Sequence, residues 1–567
     1  MTPRSGAPAP LDPDLVADLS RASAHPRDPS ARRGVQHVQT HLSHVFLTAE
    51  RVYKLRKAVD LGFVDFTTRE ERNADCLREI HLNRRLSPDV YLGVAAVTRA
   101  GGGRGTRNRV GPLRETLAPP GRAEHVVVMR RLPKGRDARS LLAAGRLRAA
   151  QLDAVAELVA RFHRRSRAER PLRIDRATWL ARVAAPVRAN FESLGPALGA
   201  GGAARGAFPP ARLARLSAAT EAWLAAHADR LEARRRAGRG VDGHGDLHLE
   251  HVWFEREDAP PLLVDCIEFR DDFREIDAAS EVAFLAMDLA YRGARHLAAR
   301  FLAAYAAQAD DFDLFSAVDF FIAYRAAVRA KVAAVAAGDA AIAPSQRAAA
   351  RASVRRHLAL AERALAPRRG GALVLTCGAV GTGKSSVARA LADALDGVVI
   401  ASDRVRKGPG LALRAGYDEA AKEAVYEALL ERAAPVVASG RLAVLDATYD
   451  LARRRKAALA FAAGQGVPAF LVETRCAARV ARRRLAARRR AGGDPSDAGP
   501  ELHAWSVRRL ERPDEWPRAR RYVVRTDTPW RRSAREIARR ISHVLRASRG
   551  TPAPRSSAPP RARRTSS

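Results

Sequence analysis

Residues 372–386 read ALVLTCGAVGTGKSS: an apolar run that ends in a glycine-rich turn and opens into a helix-forming stretch, SSVARALADAL (385–395). Within it Gly378, Gly383, Lys384 and Ser385 match GxxxxGK[ST], with Gly381 and Thr382 inside the loop and Ser386 just after it. A strand before and a helix after are the context this motif requires. Glycines let successive backbone N–H groups turn inward around phosphate oxygens, and the helix N-terminus adds positive potential. Lys384 is placed to reach the β- and γ-phosphates of ATP, and the Ser385 hydroxyl to ligate Mg2+. Only eight of the 99 basic residues are lysines, so 91 are arginines; a lysine here suits a point-charge phosphate contact.

Downstream, GVVIASD (397–403), RLAVLDATY (441–449) and VPAFLVETR (467–475) continue a strand–helix alternation that predicts a parallel α/β sheet. Asp403 then falls at the carboxyl edge of the sheet, where it either accepts the proton of an attacking hydroxyl or caps a helix. Asp446 ends another strand, the position that holds Mg2+ or its waters. In RVARRRLAARRRAGGDPSDAG (479–499), Arg484 and Arg488 share one helical face beside a Gly/Pro/Asp loop. Such a segment is expected to close over ATP as a lid, the two arginines neutralising the transferring phosphate.

Upstream, GHGDLHLEHVWF (243–254) precedes LLVDCIEF (262–269). A loop Asp246, a strand, and Asp265 nineteen positions on have the order of a catalytic loop and a metal-binding aspartate. Asp246 is expected to orient and deprotonate a hydroxyl, and Asp265 to hold Mg2+ on the ATP phosphates. VYKLRK (52–57) offers Lys54 on a strand, with Lys57 as the alternative, and the following helix offers Glu79 as the partner that fixes it. Short strands first and an Ala/Leu-rich helical stretch afterwards describe an α+β domain with two lobes. Met129, in VVVMRRL (126–132), is read as either an adenine contact between lobes or core.

The 567 residues predict two to four domains, and 47% hydrophobic residues supply more than one core. We read a flexible arm over 1–36, domains over 37–365 and 371–545, and a disordered basic tail over 546–567. The net charge of +37 raises a nucleic-acid partner, but an arginine excess spread over the whole chain has the look of compositional background. Cys76, Cys266, Cys377 and Cys476 show no paired spacing, which excludes a disulfide framework, and all four read as buried small hydrophobes. No apolar stretch is long enough to span a bilayer and no signal sequence opens the chain, so a cytoplasmic protein without a membrane partner is expected.

The C-terminal motifs GAVGTGKSS, ASDRVR, VLDATYD and RLAAR with DPSDA resemble the small P-loop kinases, among them polynucleotide 5′-hydroxyl, gluconate- and adenylate-type kinases and the AAA-labelled kinase group. HGDLH, with Lys54 and Asp265, resembles the aminoglycoside phosphotransferase and choline kinase families, which share the protein-kinase-like fold. Together the two halves resemble bacterial bifunctional aminoglycoside phosphotransferase/ATP-binding proteins. The resemblance implies a multidomain fold: an N-terminal two-lobed, protein-kinase-like α+β domain and a C-terminal α/β P-loop NTPase domain. The family pattern HGDLHxxN places His251 at the usual asparagine. Because Mg2+ prefers hard oxygen ligands, His251 becomes an unusual metal contact, with Glu250 or Glu268 as substitutes. The N-terminal half also lacks a glycine-rich loop.

The expected function is ATP- and Mg2+-dependent phosphoryl transfer at two nucleotide sites to hydroxyl groups of small molecules. The alternatives are a C-terminal polynucleotide 5′-hydroxyl kinase, or one domain acting as a non-catalytic nucleotide sensor.

Overall fold

A computed structural model describes residues 9–62, 64–100, 107–117, 123–368, 370–407, 419–491 and 499–547. The chain divides into two compact units, one of Met1–Ala309 and Ala317–Leu365, the other of Asp310–Ser316 and Ala366–Ser567.

The first unit opens with an antiparallel sheet of β1 (Gln36–Gln39), β2 (Ser43–Leu47), β3 (Arg51–Arg56), β4 (Tyr91–Ala100), β5 (Arg107–Arg114) and β6 (Glu124–Arg130), ordered β1-β2-β3-β6-β4-β5. Strand side chains alternate between faces, and β3 uses both. Tyr53 and Leu55 join Phe46, Val126 and Val128 on one face, while Lys54 and Arg56 reach Glu79 on the helix Arg69–Asn83. The polar, edge-lying β1 has no apolar run to betray it in the sequence.

The flexible arm expected over 1–36 is corrected. Asp12 caps the helix Pro13–Leu19 with a proline in its first turn, and Leu15, Leu19 and Ala24 pack on Phe46, Tyr53 and Leu55. Without this cover the sheet would expose a contiguous apolar face to water. Buried Asp18 also accepts the backbone and side-chain N–H of Asn108 at 2.9 and 3.1 Å. Residues 1–8 lie outside the described residues.

From Ala138 onward the first unit is helical, interrupted by β7 (Gly240–Asp242), β8 (Val252–Trp253), β9 (Leu262–Leu263) and β10 (Glu275–Asp277). β7 pairs with β10 and β8 with β9, both antiparallel. These short pairs carry the 243–254 loop and set Asp265 just beyond β9. The helix Ala278–Tyr291, buried on nearly every face, lies beneath them.

In the second unit β11 (Ala372–Cys377), β12 (Val398–Ala401), β13 (Leu442–Asp446), β14 (Ala469–Arg475) and β15 (Arg521–Arg525) form a wholly parallel sheet ordered β12-β13-β11-β14-β15. Every residue of β11 is buried, as a central parallel strand with both faces covered must be. The helices Lys384–Leu395 and Arg531–Ala547 share one apolar cluster with it. Arg546 belongs to the last helix; the remainder of the basic tail, 548–567, lies outside the described residues, as do 492–498 of the expected lid. Cys76, Cys266 and Cys377 are buried, but Cys476 is partly exposed, correcting that reading. Among the described residues no helix is long and apolar enough to cross a membrane.

Candidate active sites

In the first unit the 243–254 loop is held from below by buried Glu281, which accepts the backbone N–H of His244 at 2.8 Å and of Gly245 at 3.0 Å. Gly245 has φ +84°, and a Cβ there would stand 2.9 Å from the Phe273 carbonyl oxygen, so only glycine fits. His244 Nε2 donates to the Val264 carbonyl at 2.9 Å, and Nδ1 accepts from the Asp246 N–H at 3.3 Å. Burial pushes its imidazole down to about 3, so the ring is a neutral strut between the loop and the segment bearing Asp265.

The Asp246 Oδ2 lies 3.4 Å from His248 Nε2 and 3.5 Å from His251 Nδ1. Burial alone would raise this carboxyl; His248 and His251 hold it well below the usual range, leaving a carboxylate able to accept a hydroxyl hydrogen. His251 Nδ1 donates to the Asp246 carbonyl at 2.8 Å, which turns the Nε2 lone pair toward Asp265 Oδ2, 3.4 Å away. Burial pushes the His251 imidazole down, keeping that lone pair free.

Asp265 has φ +63°, and its N–H donates to the Tyr91 hydroxyl at 2.9 Å. Its side chain, 48% exposed, meets Lys54 Nζ at 2.8 Å, and Lys54 meets Glu79 Oε1 at 3.0 Å. Burial disfavours the Lys54 ammonium, but Asp265 and Glu79 hold it above its ordinary value. Burial likewise raises Asp265, and the Lys54 ammonium holds it well below.

Two expectations fail here. Glu268 is not available to a metal: it is 5% exposed and bonded to the guanidinium of Arg56. Arg56 also meets Asp75 at 2.6 Å and Glu79 Oε2 at 2.7 Å. Glu250 is paired with Arg139. The sequence reading missed Arg56, Tyr91 and His248. Asp246, His248 and His251 bring ligand atoms within 4.8 Å of one another. The i, i+2 and i+5 spacing of Asp246, His248 and His251 was the available signal. Their mixed nitrogen and oxygen donors, with Asp265 beside them, fit a divalent ion that tolerates imidazole, such as Mn2+, better than Mg2+. Where a glycine-rich loop is absent, the β1–β2 turn supplies Thr40, His41 and Leu42 to a cavity of about 890 Å³ that also contains Lys54, Asp246 and Asp265. Met129 packs in the cluster of Val127 and Val264. Lys57, the alternative to Lys54, has its N–H bonded to the Leu42 carbonyl.

In the second unit Gly378, Gly381 and Gly383 have φ of +144°, +83° and +88°, a left-handed backbone that other residues resist. A Cβ on Gly378 would lie 2.6 Å from the Thr474 carbonyl oxygen. Lys384 starts the helix Lys384–Leu395, and its Nζ donates to the Ala379 carbonyl at 3.0 Å. Burial pushes the ammonium below its ordinary value against the pull of Asp446 and Asp403. Burial raises Asp446, at the end of β13, against a hydrogen bond from Ser385. The Ser385 and Asp446 donors are all oxygen, as Mg2+ requires. Asp403, 43% exposed in the helix Ser402–Arg406, has Arg406 at 3.9 Å.

The structure departs from the expected roles at Arg484, Thr382 and Ser386. Arg484 Nη1 donates to Thr526 Oγ1 at 2.9 Å and Nη2 to its carbonyl at 2.6 Å, while Thr526 Oγ1 donates to the Thr382 carbonyl at 2.7 Å. Arg484 is thus a strut from the sheet edge to the loop, whereas Arg488 adds its field at Lys384. The Thr382 hydroxyl turns inward to Ala379 O and Thr474 Oγ1, each at 2.7 Å, leaving only its backbone to face a phosphate. Ser386 lines a different cavity, of about 480 Å³, with Arg389, Trp530, Arg531 and Arg535. Thr474, Thr526 and Ser506, whose Oγ accepts the Val380 N–H at 3.1 Å, are supports that carry no motif.

The family model of the AAA domain matches residues 373–513. The uncharacterized proteins Rv2004c of Mycobacterium tuberculosis and Mb2027c of Mycobacterium bovis are each 34% identical over 484 residues, covering 82% of this chain and 88% of their own. Among solved structures, a choline/ethanolamine kinase family protein from Mesorhizobium loti is similar at 13% identity, covering 62% of this chain and 98% of that one, with a TM-score of 0.34. A gluconokinase from Sinorhizobium meliloti 1021 is similar at 20% identity, covering 32% and 98%, with a TM-score of 0.25.

Proposed function

Taking as premise that the chain belongs to one family with the mycobacterial protein Rv2004c, we propose that it is an ATP-dependent phosphotransferase with a nucleotide site in each unit, transferring the γ-phosphoryl group to hydroxyls of small molecules. The observation that carries the reading is a convergence found twice. A lysine and two aspartates meet at Lys54, Asp246 and Asp265 in one unit, and at Lys384, Asp403 and Asp446 in the other.

In the first unit Lys54, fixed by Glu79, holds phosphate oxygens, and ionised Asp246 orients the acceptor hydroxyl and takes its proton as the oxygen attacks phosphorus. In the second, loop N–H groups and Lys384 hold the β- and γ-phosphates, and half-exposed Asp403 receives the acceptor proton. A divalent cation, held by Asp265 and His251 in one site and by Ser385 and Asp446 in the other, supplies charge neutralisation on the phosphates when bound. Arg488 adds positive field over the second site.

A second reading, polynucleotide 5′-hydroxyl phosphorylation by the second unit, draws on the cavity of Arg389, Trp530, Arg531 and Arg535, since an aromatic ring among arginines suits a stacked base. Transfer of labelled γ-phosphate to a panel of sugars, nucleosides, hydroxy acids, aminoglycosides and 5′-hydroxyl oligonucleotides tests both. We expect Asp246→Asn and Asp403→Asn each to abolish transfer to a different acceptor. ATP turnover unchanged in an Asp246→Ala/Lys384→Ala double variant refutes the proposal.

A further inference from the structure

The cavity beside Asp246 extends well beyond the phosphate-holding residues, between the helices Arg176–Leu198 and Val318–Gly338. Trp179, Val183 and Pro186 on the first and Phe321, Tyr324 and Val328 on the second line it. Each set recurs at steps of three and four, so each helix presents one continuous apolar stripe to the cavity.

The charges along this wall are mostly spoken for. Arg182 pairs with Glu275, and Arg270 with Asp272 at 2.9 Å through its Nε. Arg325 stacks on Phe284 and Tyr324 and donates to the Ser280 carbonyl at 3.3 Å. Two groups are left. Half-buried Lys331 has its ammonium pushed below the ordinary value by burial, and among the described residues no carboxylate pairs with it. Asn190, 1% exposed, lines the same cavity with an amide Nδ2 that has no hydrogen-bond partner among the described residues. A buried donor left in that state is unusual in a folded protein.

Both donors line this one cavity, Asn190 from the first helix and Lys331 from the second.

We infer that the acceptor of the first unit is a hydroxy acid with a hydrocarbon body: its hydroxyl at Asp246, its chain along the two apolar stripes, and its anionic group at Lys331 and Asn190. This rests on the reading of Asp246 as the group that orients the acceptor. An anion satisfies both donors at once, giving Lys331 a counter-charge and Asn190 an acceptor oxygen. A polycationic sugar meets the reverse: apolar walls, an uncompensated ammonium, and carboxylates already paired with arginines. Lys331 is also one of only eight lysines in the chain.

Binding to the full-length protein tests the inference, followed by calorimetry and by Trp179 fluorescence. The probes are 10-hydroxydecanoate, 1,10-decanediol, 10-aminodecan-1-ol and kanamycin. The hydroxy acid is expected to bind about tenfold or more tightly than the diol, with the amino alcohol and kanamycin weakest. Lys331→Met should abolish the preference for the acid over the diol, Lys331→Arg should restore it, and Asn190→Leu should reduce it. Equal binding of the four, binding of none, preference for an amine, or a preference that survives Lys331→Met overturns the inference. Asp246→Asn should still prefer the hydroxy acid to the diol, with weaker binding of both, but transfer no phosphate. Binding with no transfer by the wild type refutes the phosphotransfer reading while leaving the acceptor pocket standing.

Discussion

Lys54 and Lys384 are offered for the same task, holding an ATP phosphate, yet the protein keeps them in opposite states. Two carboxylates hold Lys54 above its ordinary value; burial pushes Lys384 below its own, with its Nζ resting on a loop carbonyl. The first site is a lattice of ion pairs between elements distant in sequence, in which Lys54 is already neutralised. The second is a backbone cradle whose lysine is left electrostatically hungry. Phosphate therefore competes with Asp265 for Lys54, but adds to Lys384 a counter-charge beyond the pull of Asp446 and Asp403. Electrostatics then predicts the larger gain on binding at the second site.

The largest effect expected from breaking this contrast is on the lattice. Arg56→Met leaves Asp75, Glu79 and Glu268 around an uncharged side chain. Removing one partner from a buried ionic cluster costs about 3–5 kcal/mol. Amides of β3 and of the helix Arg69–Asn83 should lose hydrogen-exchange protection by that margin, while those of β11 and β13 keep theirs. Equal protection in wild type and variant would show that Lys54 does not depend on the lattice.

Next in size is the loss of Lys384. Lys384→Ala should weaken nucleotide binding at the second site by roughly 2–3 kcal/mol, the worth of charge-assisted hydrogen bonds. It should not unfold the unit, because burial of that ammonium is itself unfavourable. Calorimetry should pass from two binding events to one. Lys54→Ala, by contrast, should lower stability as well as binding, since Asp265 and Glu79 lose their shared cation.

The same contrast explains what could be read in advance. Strand, loop and helix of the second site are contiguous from Ala372 to Leu395, so pattern and chemistry coincide in one stretch of sequence. Its supports could not be read, because Thr474 and Thr526 are ordinary residues until the sheet brings β14 and β15 to the loop. In the first site the order Lys54, Glu79, Asp246, Asp265 was legible, but not Arg56. In a chain with 91 arginines nothing local marks the one that braces this site. A stretch rich in Pro, Ser, Ala and Arg resembles a flexible arm, whereas Leu15 and Leu19 need only cover a face that β3 leaves open. The Asp12–Pro13 helix start was the overlooked sign.

The smallest effect, and the one that tests the lattice most directly, is its pH dependence. Three carboxylates surround Arg56, so negative charge is in excess and a proton is retained. Burial, outweighing Arg56, pushes Glu268 from 4.5 up to about 8. The folded form thus keeps this proton to a higher pH than the unfolded chain. The stability it confers is fully present below about 4.5 and is lost as pH rises through about 8. Glu268→Gln mimics the protonated group permanently and cannot titrate. It should match the wild type near pH 5 and exceed it near pH 9, by on the order of 1–2 kcal/mol. Denaturant melts of the two proteins across this range, followed at Trp179 and Trp253 in the first unit, measure the difference directly. Parallel curves for wild type and variant would mean that the proton resides on another carboxylate of the cluster. Asp75, which burial also raises, is then the group to replace with asparagine, and the same divergence above neutral pH should appear there.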